Sequence, residues 1–360
     1  MDKALQLQLP TGRMVVNQHQ RFVLQDKTFA NLVKRDITRI AESYGFAETE
    51  VGKINIIVSE LISNLFKYTP KGGEILIKPI ENNGIEIISL DNGPGMSDTQ
   101  RMMRDGTSTS GTAGEGLGAI KRLSIDFDIY SQPGLGTIVL SRIFKPHKRV
   151  TVDLQLRDNR FDVGVVMVPM HNEALCGDGC AIITEGNNLY LIAVDGLGHG
   201  ANANEASAQA AANFLLNHTS DPAANLHQIH SNIRKTRGAV GTIVHINASR
   251  KKINHCGVGN IAGKIFTIDG AILSNMNSRN IIAYNGILGH NIPTTFSTQQ
   301  SEWSNNNMLI LHSDGILSRW DLSKYPNLHR HDPSLIAGII YRDFNRKTDD
   351  SLVVIIKPKA

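Results

Sequence analysis

The run Leu189 to Val194 is apolar throughout and stops at Asp195, which opens Asp-Gly-Leu-Gly-His-Gly200. Its length and composition suit a buried strand. No regular element continues into three glycines within five residues. A strand closed in this way fixes its terminal carboxylate at the edge of a sheet, within reach of ligands through the loop. Such an acid holds a metal or polarises a water. Alternatively Asp195 merely opens a turn, since Asp-Gly is a common turn pair. The rest of the chain decides.

At 360 residues the chain exceeds one ordinary core, so two domains are expected. Hydrophobic content of 41% and charged content of 19% read as a soluble globular protein. No run approaches the roughly 18 to 20 apolar residues that span a bilayer, and the first residues lack the apolar core of a signal peptide. A net charge of +4 without a Lys/Arg block argues weakly against a nucleic-acid function. Cys176, Cys180 and Cys256 make no disulfide framework, which fits a cytoplasmic protein. Cys176 and Cys180 are spaced like half of a zinc site, but no second pair follows, so they read as buried thiols.

In the first half, residues 14–18 and 21–24 have the pattern of short strands. Asp26 offers an N-cap to a helix running to about Tyr44, with Phe29, Leu32, Val33, Ile37 and Ile40 on its inner face. A second helix, about Glu48 to Tyr68, carries Val51, Ile54, Ile57, Val58, Leu61, Ile62 and Leu65 inward. Glu60 and Asn64 lie at i and i+4 on one face of it. That pairing is either a shared ligand site or a solvated helix edge. The segments 72–80 and 83–90 form a hairpin whose second strand delivers Asp91 into Asp91-Asn-Gly93-Pro-Gly95. A glycine-rich stretch, 106–118, then feeds a helix that begins with AIKRL. Glycine-rich loops at helix N-termini bind anions through bare N–H groups and the helix dipole. No Lys-Ser/Thr follows, so this is not a Walker loop, and no Rossmann unit surrounds it.

The succession Glu60-xxx-Asn64, DNGPG and GEGLG resembles the GHKL ATPase (Bergerat) fold. SELISNLFKY, DNGPGMSD and DGTSTSGTAGEGLGAIKRL are especially similar to the RsbT-type serine kinases of bacterial stress switches. The resemblance covers about Met14 to Ile143. It implies an ATP site with Mg²⁺, in which Asp91 bonds the adenine amino group and Asn64 ligates Mg²⁺. Glu60 is then the general base toward a protein hydroxyl. Gly93 and Gly95 permit close approach to the base, Gly114, Gly116 and Gly118 wrap the phosphates, and Thr137 backs the adenine. Phosphoryl transfer needs charge neutralisation and an aligned hydroxyl more than covalent help, so this residue set is chemically coherent.

Residues 145–149 (KPHKR) are polar, basic and proline-bearing, as a linker would be. Beyond them the pattern becomes strand-rich. FDVGVVMVPM leads to Cys176-Gly-Asp178-Gly. A hairpin with a Gly-Asn turn ends on Asp195, and an Ala-rich helix follows over about 203–218. Strands flank Gly257-Val-Gly-Asn260, a buried strand ends on Asp314-Gly315, and Thr348-Asp349-Asp350 precedes the strand LVVIIK. Carboxylates thus recur at strand ends: Asp178, Asp195, Asp314 and Asp349 or Asp350. Hard oxygen donors without His or Cys suit Mg²⁺ or Mn²⁺. Any one of them could be a turn aspartate, but all of them together are poorly explained that way.

This order (GD, DGLGHG, GVGN, SDG, DD) is similar to the metal-dependent PPM protein phosphatases in their bacterial SpoIIE/RsbX-like form, over about Thr151 to Pro358. The resemblance implies two Mn²⁺ or Mg²⁺ ions bridged by Asp195, with the Gly196 carbonyl assisting. Asp314 and Asp349 take one ion, Asp178 the other, and hydroxide rather than a protein nucleophile attacks phosphoserine or phosphothreonine. Family members place Thr where Leu352 stands, which leaves the choice between Asp349 and Asp350 open. His199 reads as an ordinary loop histidine. The fold class expected is α+β: a GHKL α/β sandwich over 1–145, then a PPM-type αββα sandwich of two antiparallel sheets over 151–360. The function implied is a cytoplasmic switch protein with opposed kinase and phosphatase activities on STAS-domain partners, in a stressosome-like assembly. The alternatives are a phosphatase regulated by a non-catalytic ATP-binding module, and an anti-sigma factor whose first half grips a sigma factor.

Overall fold

The strand β1 (Arg13–Val15) pairs with β8 (Asp178–Glu185), far along the chain, in the register Arg13↔Ile183, Met14↔Ile182 and Val15↔Ala181. The computed structural model describes residues 12–81, 83–103, 116–146, 160–270, 272–273 and 277–359. These form two units, one of residues 12–18 with 160–359 and the other of residues 19–146. The ATPase-like unit is therefore inserted within the other unit rather than preceding it. The segment read as the opening strand of the first domain covers an edge of a sheet in the unit of residues 12–18 and 160–359. Its Met14 and Val16 join the inter-sheet core and its Val15 the helix-covered face, a better use of three apolar residues than an exposed edge. The proposed linker lies largely outside the described residues.

The inserted unit is one antiparallel sheet in the order β2 (Gln20–Leu24), β3 (Gly73–Ile80), β4 (Gly84–Asp91), β6 (Thr137–Phe144), β5 (Asp126–Ser131). Helices α1 (Ala30–Ser43), α2 (Glu48–Tyr68) and α3 (Gly116–Leu123) share one core with it, in which Ile54, Ile57, Leu61 and Leu65 meet Ile75, Ile85 and Ile87. All seven apolar positions assigned inward on α2 are buried. On α1 the expected face is corrected. Asp26 caps a 3₁₀ turn, Lys27–Phe29, instead of the α-helix itself. Phe29 falls in that turn, outside the α-helix, and is exposed; within the helix Val33, Ile37 and Ala41 form the buried stripe and Leu32 lies beside it, exposed.

The other unit is a four-layer αββα sandwich. One sheet runs β1, β8, β9 (Asn188–Gly196), β10 (Ala239–Asn247), β11 (Lys252–Val258), with the short β14 (Ala283–Tyr284) and β15 (Gln299–Glu302) both beside β11. The second runs β13 (Ser278–Ile281), β12 (Ala262–Thr267), β16 (Asn307–His312), β17 (Ser351–Pro358), β7 (Phe161–Val168). Every pairing is antiparallel except β11 with β14. The two strands around Gly257–Asn260 belong to different sheets, so that turn crosses the sandwich. Between the sheets lie Leu191, Ala193, Val244, Leu309, Leu311 and Val354.

Helices α4 (Ala201–Asn217) and α5 (Pro222–Asn232) cover the first sheet, and α6 (Pro333–Phe344) packs on β7 and β17. Alanines 203, 206, 210 and 211 form the buried face of α4, which lets the helix approach the sheet closely. Both α5 and α6 start with Asp-Pro: Asp221 and Asp332 accept N–H bonds from Ala223 and Ser334 at 3.1 and 2.8 Å, and proline takes the first turn.

Candidate active sites

In the ATPase-like unit, Glu60 and Asn64 stand half-buried on α2, one turn apart. Gly116 opens α3 directly against them. A β-carbon at Gly116 would lie 2.6 Å from Glu60 Oε2 and 3.9 Å from Asn64 Oδ1, so any side chain there would displace the Glu60 carboxylate. Gly118 is buried one step further into α3, and Gly114 lies outside the described residues. At the end of β4, Asp91 Oδ1 accepts the N–H groups of Gly93 at 2.8 Å and Thr137 at 3.1 Å. Thr137 Oγ1 shares a hydrogen bond with Ser131 Oγ at 2.8 Å, and the Met96 N–H donates to that same Ser131 oxygen. Gly93 also abuts Thr69 and the Tyr68 carbonyl, so the Asp91 loop rests on the C-terminal end of α2. Gly95, at φ +70°, turns that loop against the Gln132 carbonyl. The structure therefore brings Glu60, Asn64 and Gly116 together as one group, and Asp91, Gly93 and Thr137 as another, joined through α2.

In the sandwich, Asp178 and Asp195 are register partners at the start of β8 and the end of β9. Ser313 Oγ donates to Asp178 Oδ2 at 2.7 Å and accepts the Leu352 N–H at 2.9 Å, tying the SDG turn to both sheets. Asp314 Oδ2 accepts from Asn260 Nδ2 at 2.9 Å. Asp350 is buried, and its oxygens accept the N–H groups of Met170 at 2.8 Å and Gly177 at 2.9 Å. Asp349 is only half-buried, and its Oδ1 accepts the Asp350 N–H. Of the two adjacent acids, then, Asp350 is committed to two backbone N–H groups, while the half-buried Asp349 makes no such long-range bond among the contacts above; the charges of both act on Asp195. Gly196 lies where a β-carbon would meet the Ala203 carbonyl at 2.1 Å, so α4 presses on the loop that carries Asp195.

The electrostatics follow from this crowding. Burial raises Asp178 well above its ordinary value, and the Asp195 charge adds to that, against the lowering effect of the Ser313 bond. Burial, then Asp314, Asp349 and Asp350, push Asp195 up to about 8. Burial and Asp349 raise Asp314 as well. As the side chains stand, no three His, Cys, Asp or Glu groups among the described residues converge on a single cation position. The donor chemistry nevertheless fits a hard divalent ion: every group is a carboxylate, no cationic side chain pairs with Asp178 or Asp195 among the contacts above, and each repels its neighbours.

Sequence reasoning missed the supports of this cluster. Ser313 and Asn260 flank or belong to motifs already singled out, SDG and GVGN, and were legible as neighbours of acids. Glu173, which meets His199 Nδ1 at 2.7 Å, carried no signal.

Residues 25–142 match the histidine kinase-like ATPase domain family, and residues 185–358 match the stage II sporulation protein E (SpoIIE) family. The serine/threonine-protein kinase RsbT of Bacillus subtilis (strain 168) is 39% identical over 101 residues, which are 27% of this chain and 75% of that protein. The phosphoserine phosphatase RsbX of the same organism is 25% identical over 153 residues, 42% of this chain and 73% of that protein. A solved structure from work on the bacterial stressosome superposes with a TM-score of 0.50 at 26% identity, covering 55% of this chain and all (100%) of that one. Among the described residues no helix is long and apolar enough to cross a membrane.

Proposed function

Because this chain belongs to the RsbT-type serine/threonine kinase family in its ATPase-like unit and carries a SpoIIE-type PPM phosphatase domain around it, we propose that it writes and erases one class of phosphorylation mark. The target is a serine or threonine on a STAS-domain protein of a stressosome-type assembly. In the kinase half, Asp91 would receive the adenine amino group, Asn64 would hold Mg²⁺, and Glu60 would accept the proton of the incoming hydroxyl. Gly93, Gly95, Gly114, Gly116, Gly118 and Thr137 shape the nucleotide's bed.

In the phosphatase half, Asp178, Asp195, Asp314 and Asp349, with the Gly196 carbonyl, are the residues that would hold the divalent ions. Bound there, Mn²⁺ or Mg²⁺ supplies a hydroxide at neutral pH and clamps the phosphate. Ser313 orients Asp178, Asn260 orients Asp314, and Asp350 locks the strand that presents Asp349. The observation that carries the reading is that both acid sets are present in one chain, with Glu60 against Gly116 at the start of α3 and Asp178 paired with Asp195 and tied to the Asp314 turn through Ser313.

The reading is tested by equilibrium binding of a Glu60→Ala, Asp195→Ala double variant to a purified STAS-domain protein in its two states. The phosphorylated form should be retained by the phosphatase half in Mn²⁺, and the unmodified form by the kinase half in Mg²⁺ and ATP. Binding of neither state would contradict it.

A further inference from the structure

Beyond Asp314 the chain does not return to regular structure at once. Residues 318–321 run between β12 and the end of α6 and form one side of an open cleft of about 530 Å³ lined by Lys264, Arg319, Trp320, Asp321, Lys324 and Phe344. The cavity adjoins the acid cluster through the backbone: the Leu317 N–H donates to the Phe344 carbonyl, and the Arg346 N–H to the Gly315 carbonyl, each at 2.8 Å. Its floor is fixed. Trp320 is 4% exposed, and its indole N–H donates to His312 Nε2 at 2.9 Å. His312 Nδ1 therefore carries the proton and donates to the Ser313 carbonyl at 2.8 Å, one residue before Asp314.

Three cations line this cavity against one acid. Lys264 Nζ lies 4.7 Å over the Trp320 ring, and Lys324 Nζ 5.5 Å over Phe344 and 5.1 Å over Tyr325. Arg319 is exposed at the rim. Asp321 is engaged by its own turn, accepting the Ser323 N–H at 3.0 Å and the Ser323 hydroxyl at 2.5 Å. Ammonium groups rather than open aromatic faces line the cavity. What the cavity offers is positive charge held on a rigid aromatic floor.

We propose that this cavity is a specificity subsite for acidic side chains, Asp or Glu, that flank the phosphorylated residue of the protein substrate. The inference rests on the phosphatase reading of the neighbouring aspartates. Because backbone bonds join this loop to Gly315, next to Asp314, the cavity would select the segment that flanks the phosphoresidue, and selectivity would lie in binding rather than in the chemical step. Long-range attraction between the cations and an acidic segment also makes that selectivity sensitive to salt.

The test uses the full chain with Mn²⁺ and three substrates: a phosphoserine peptide with Asp/Glu flanks, its Asn/Gln counterpart, and p-nitrophenyl phosphate. The native protein should favour the acidic peptide about tenfold in kcat/KM, through KM, with the preference shrinking as salt rises. Arg319→Ser with Lys324→Ser, both exposed positions, should remove that preference and leave p-nitrophenyl phosphate turnover unchanged. Asp321→Asn should move the preference the other way. Anisotropy of the labelled acidic peptide without its phosphate reads the subsite independently of turnover: it should bind the native chain and lose about tenfold affinity in the double variant. Equal handling of the two peptides by the native chain, or an unchanged preference in the double variant, overturns the subsite. Loss of p-nitrophenyl phosphate turnover in the native chain would instead overturn the phosphatase reading.

Discussion

Asp178 and Asp195 are direct partners across β8 and β9, so one hairpin both begins and ends on a carboxylate at the same point of the sheet. In the absence of metal the pair is unfavourable at neutral pH. Burial and the neighbouring Asp314, Asp349 and Asp350 lift Asp195 from 3.8 to about 8, so the folded chain retains a proton that the unfolded chain has released. The stability tied to that proton is complete below the unfolded value, about 4, and is lost as pH rises toward 8. A bound divalent ion replaces the proton. Saturating Mn²⁺ should therefore raise the Tm of EDTA-treated protein, and raise it more at pH 8 than at pH 6, as scanning calorimetry would read. Equal Tm values with and without Mn²⁺ at pH 8 would exclude ion binding at this cluster.

The adjacent acids Asp349 and Asp350 should separate cleanly. Asp349→Ala is expected to abolish Mn²⁺-dependent hydrolysis of p-nitrophenyl phosphate with little loss of stability, because it relieves repulsion with Asp195 and Asp314. Asp350→Ala strips acceptors from two backbone N–H groups and should cost about 1–3 kcal/mol in urea unfolding. If Asp350→Ala were the inactive and stable variant, the ligand assignment would be reversed.

These two residues also mark where the sequence stopped being legible. The strand ends that carry Asp178, Asp195 and Asp314 were readable because apolar runs break sharply at Asp-Gly pairs. So was the whole of α2, whose apolar stripe keeps one phase over its full length. The choice between Asp349 and Asp350 depends on which carboxylate the distant Met170 and Gly177 N–H groups capture, and no local pattern encodes that. The pairing of β1 with β8 was hidden for the same reason, since edge pairing across an inserted unit is a long-range event. On α1 the apolar spacing was real, but Phe29 falls in the 3₁₀ turn capped by Asp26, outside the α-helix, and is exposed.

Nucleotide binding is expected to depend on the two groups joined by α2. Asp91→Asn should weaken Mg²⁺·ATP binding by losing the adenine contact, and Asn64→Ala by losing the metal, as titration calorimetry on the full chain would show. Gly116→Ala should displace the Glu60 carboxylate, which its methyl would meet at 2.6 Å, and so lower phosphoryl transfer more than ATP affinity. Unchanged ATP affinity in the Asp91 and Asn64 variants would place the nucleotide elsewhere.

Glu86 provides a control remote from the chemistry. Burial alone would raise it, but Lys78 Nζ at 3.1 Å and Arg142 Nε at 2.7 Å, with His19, hold it well below the ordinary carboxylate range. Its stabilising contribution is present above the unfolded value, about 4.5, and is lost as pH falls through the lower folded value. Glu86→Gln should cost about 3 kcal/mol at pH 7, because it removes the carboxylate that faces both the buried Lys78 and the half-buried Arg142. A difference between variant and native protein that did not narrow in acid would contradict this account of the site.

The central claim is that one chain both adds and removes the phosphate. It is tested by following label from γ-labelled ATP onto a STAS-domain partner in the Asp195→Ala background, where product cannot be erased as it forms. Label should accumulate, fall by at least ~10²-fold when Glu60→Gln is added while ATP affinity stays nearly unchanged, and disappear when native protein and Mn²⁺ are supplied. No label on any STAS-domain candidate in that background, or labelling indifferent to Glu60→Gln, would contradict the opposed-activity account and leave the ATP-binding unit a regulatory module of the phosphatase.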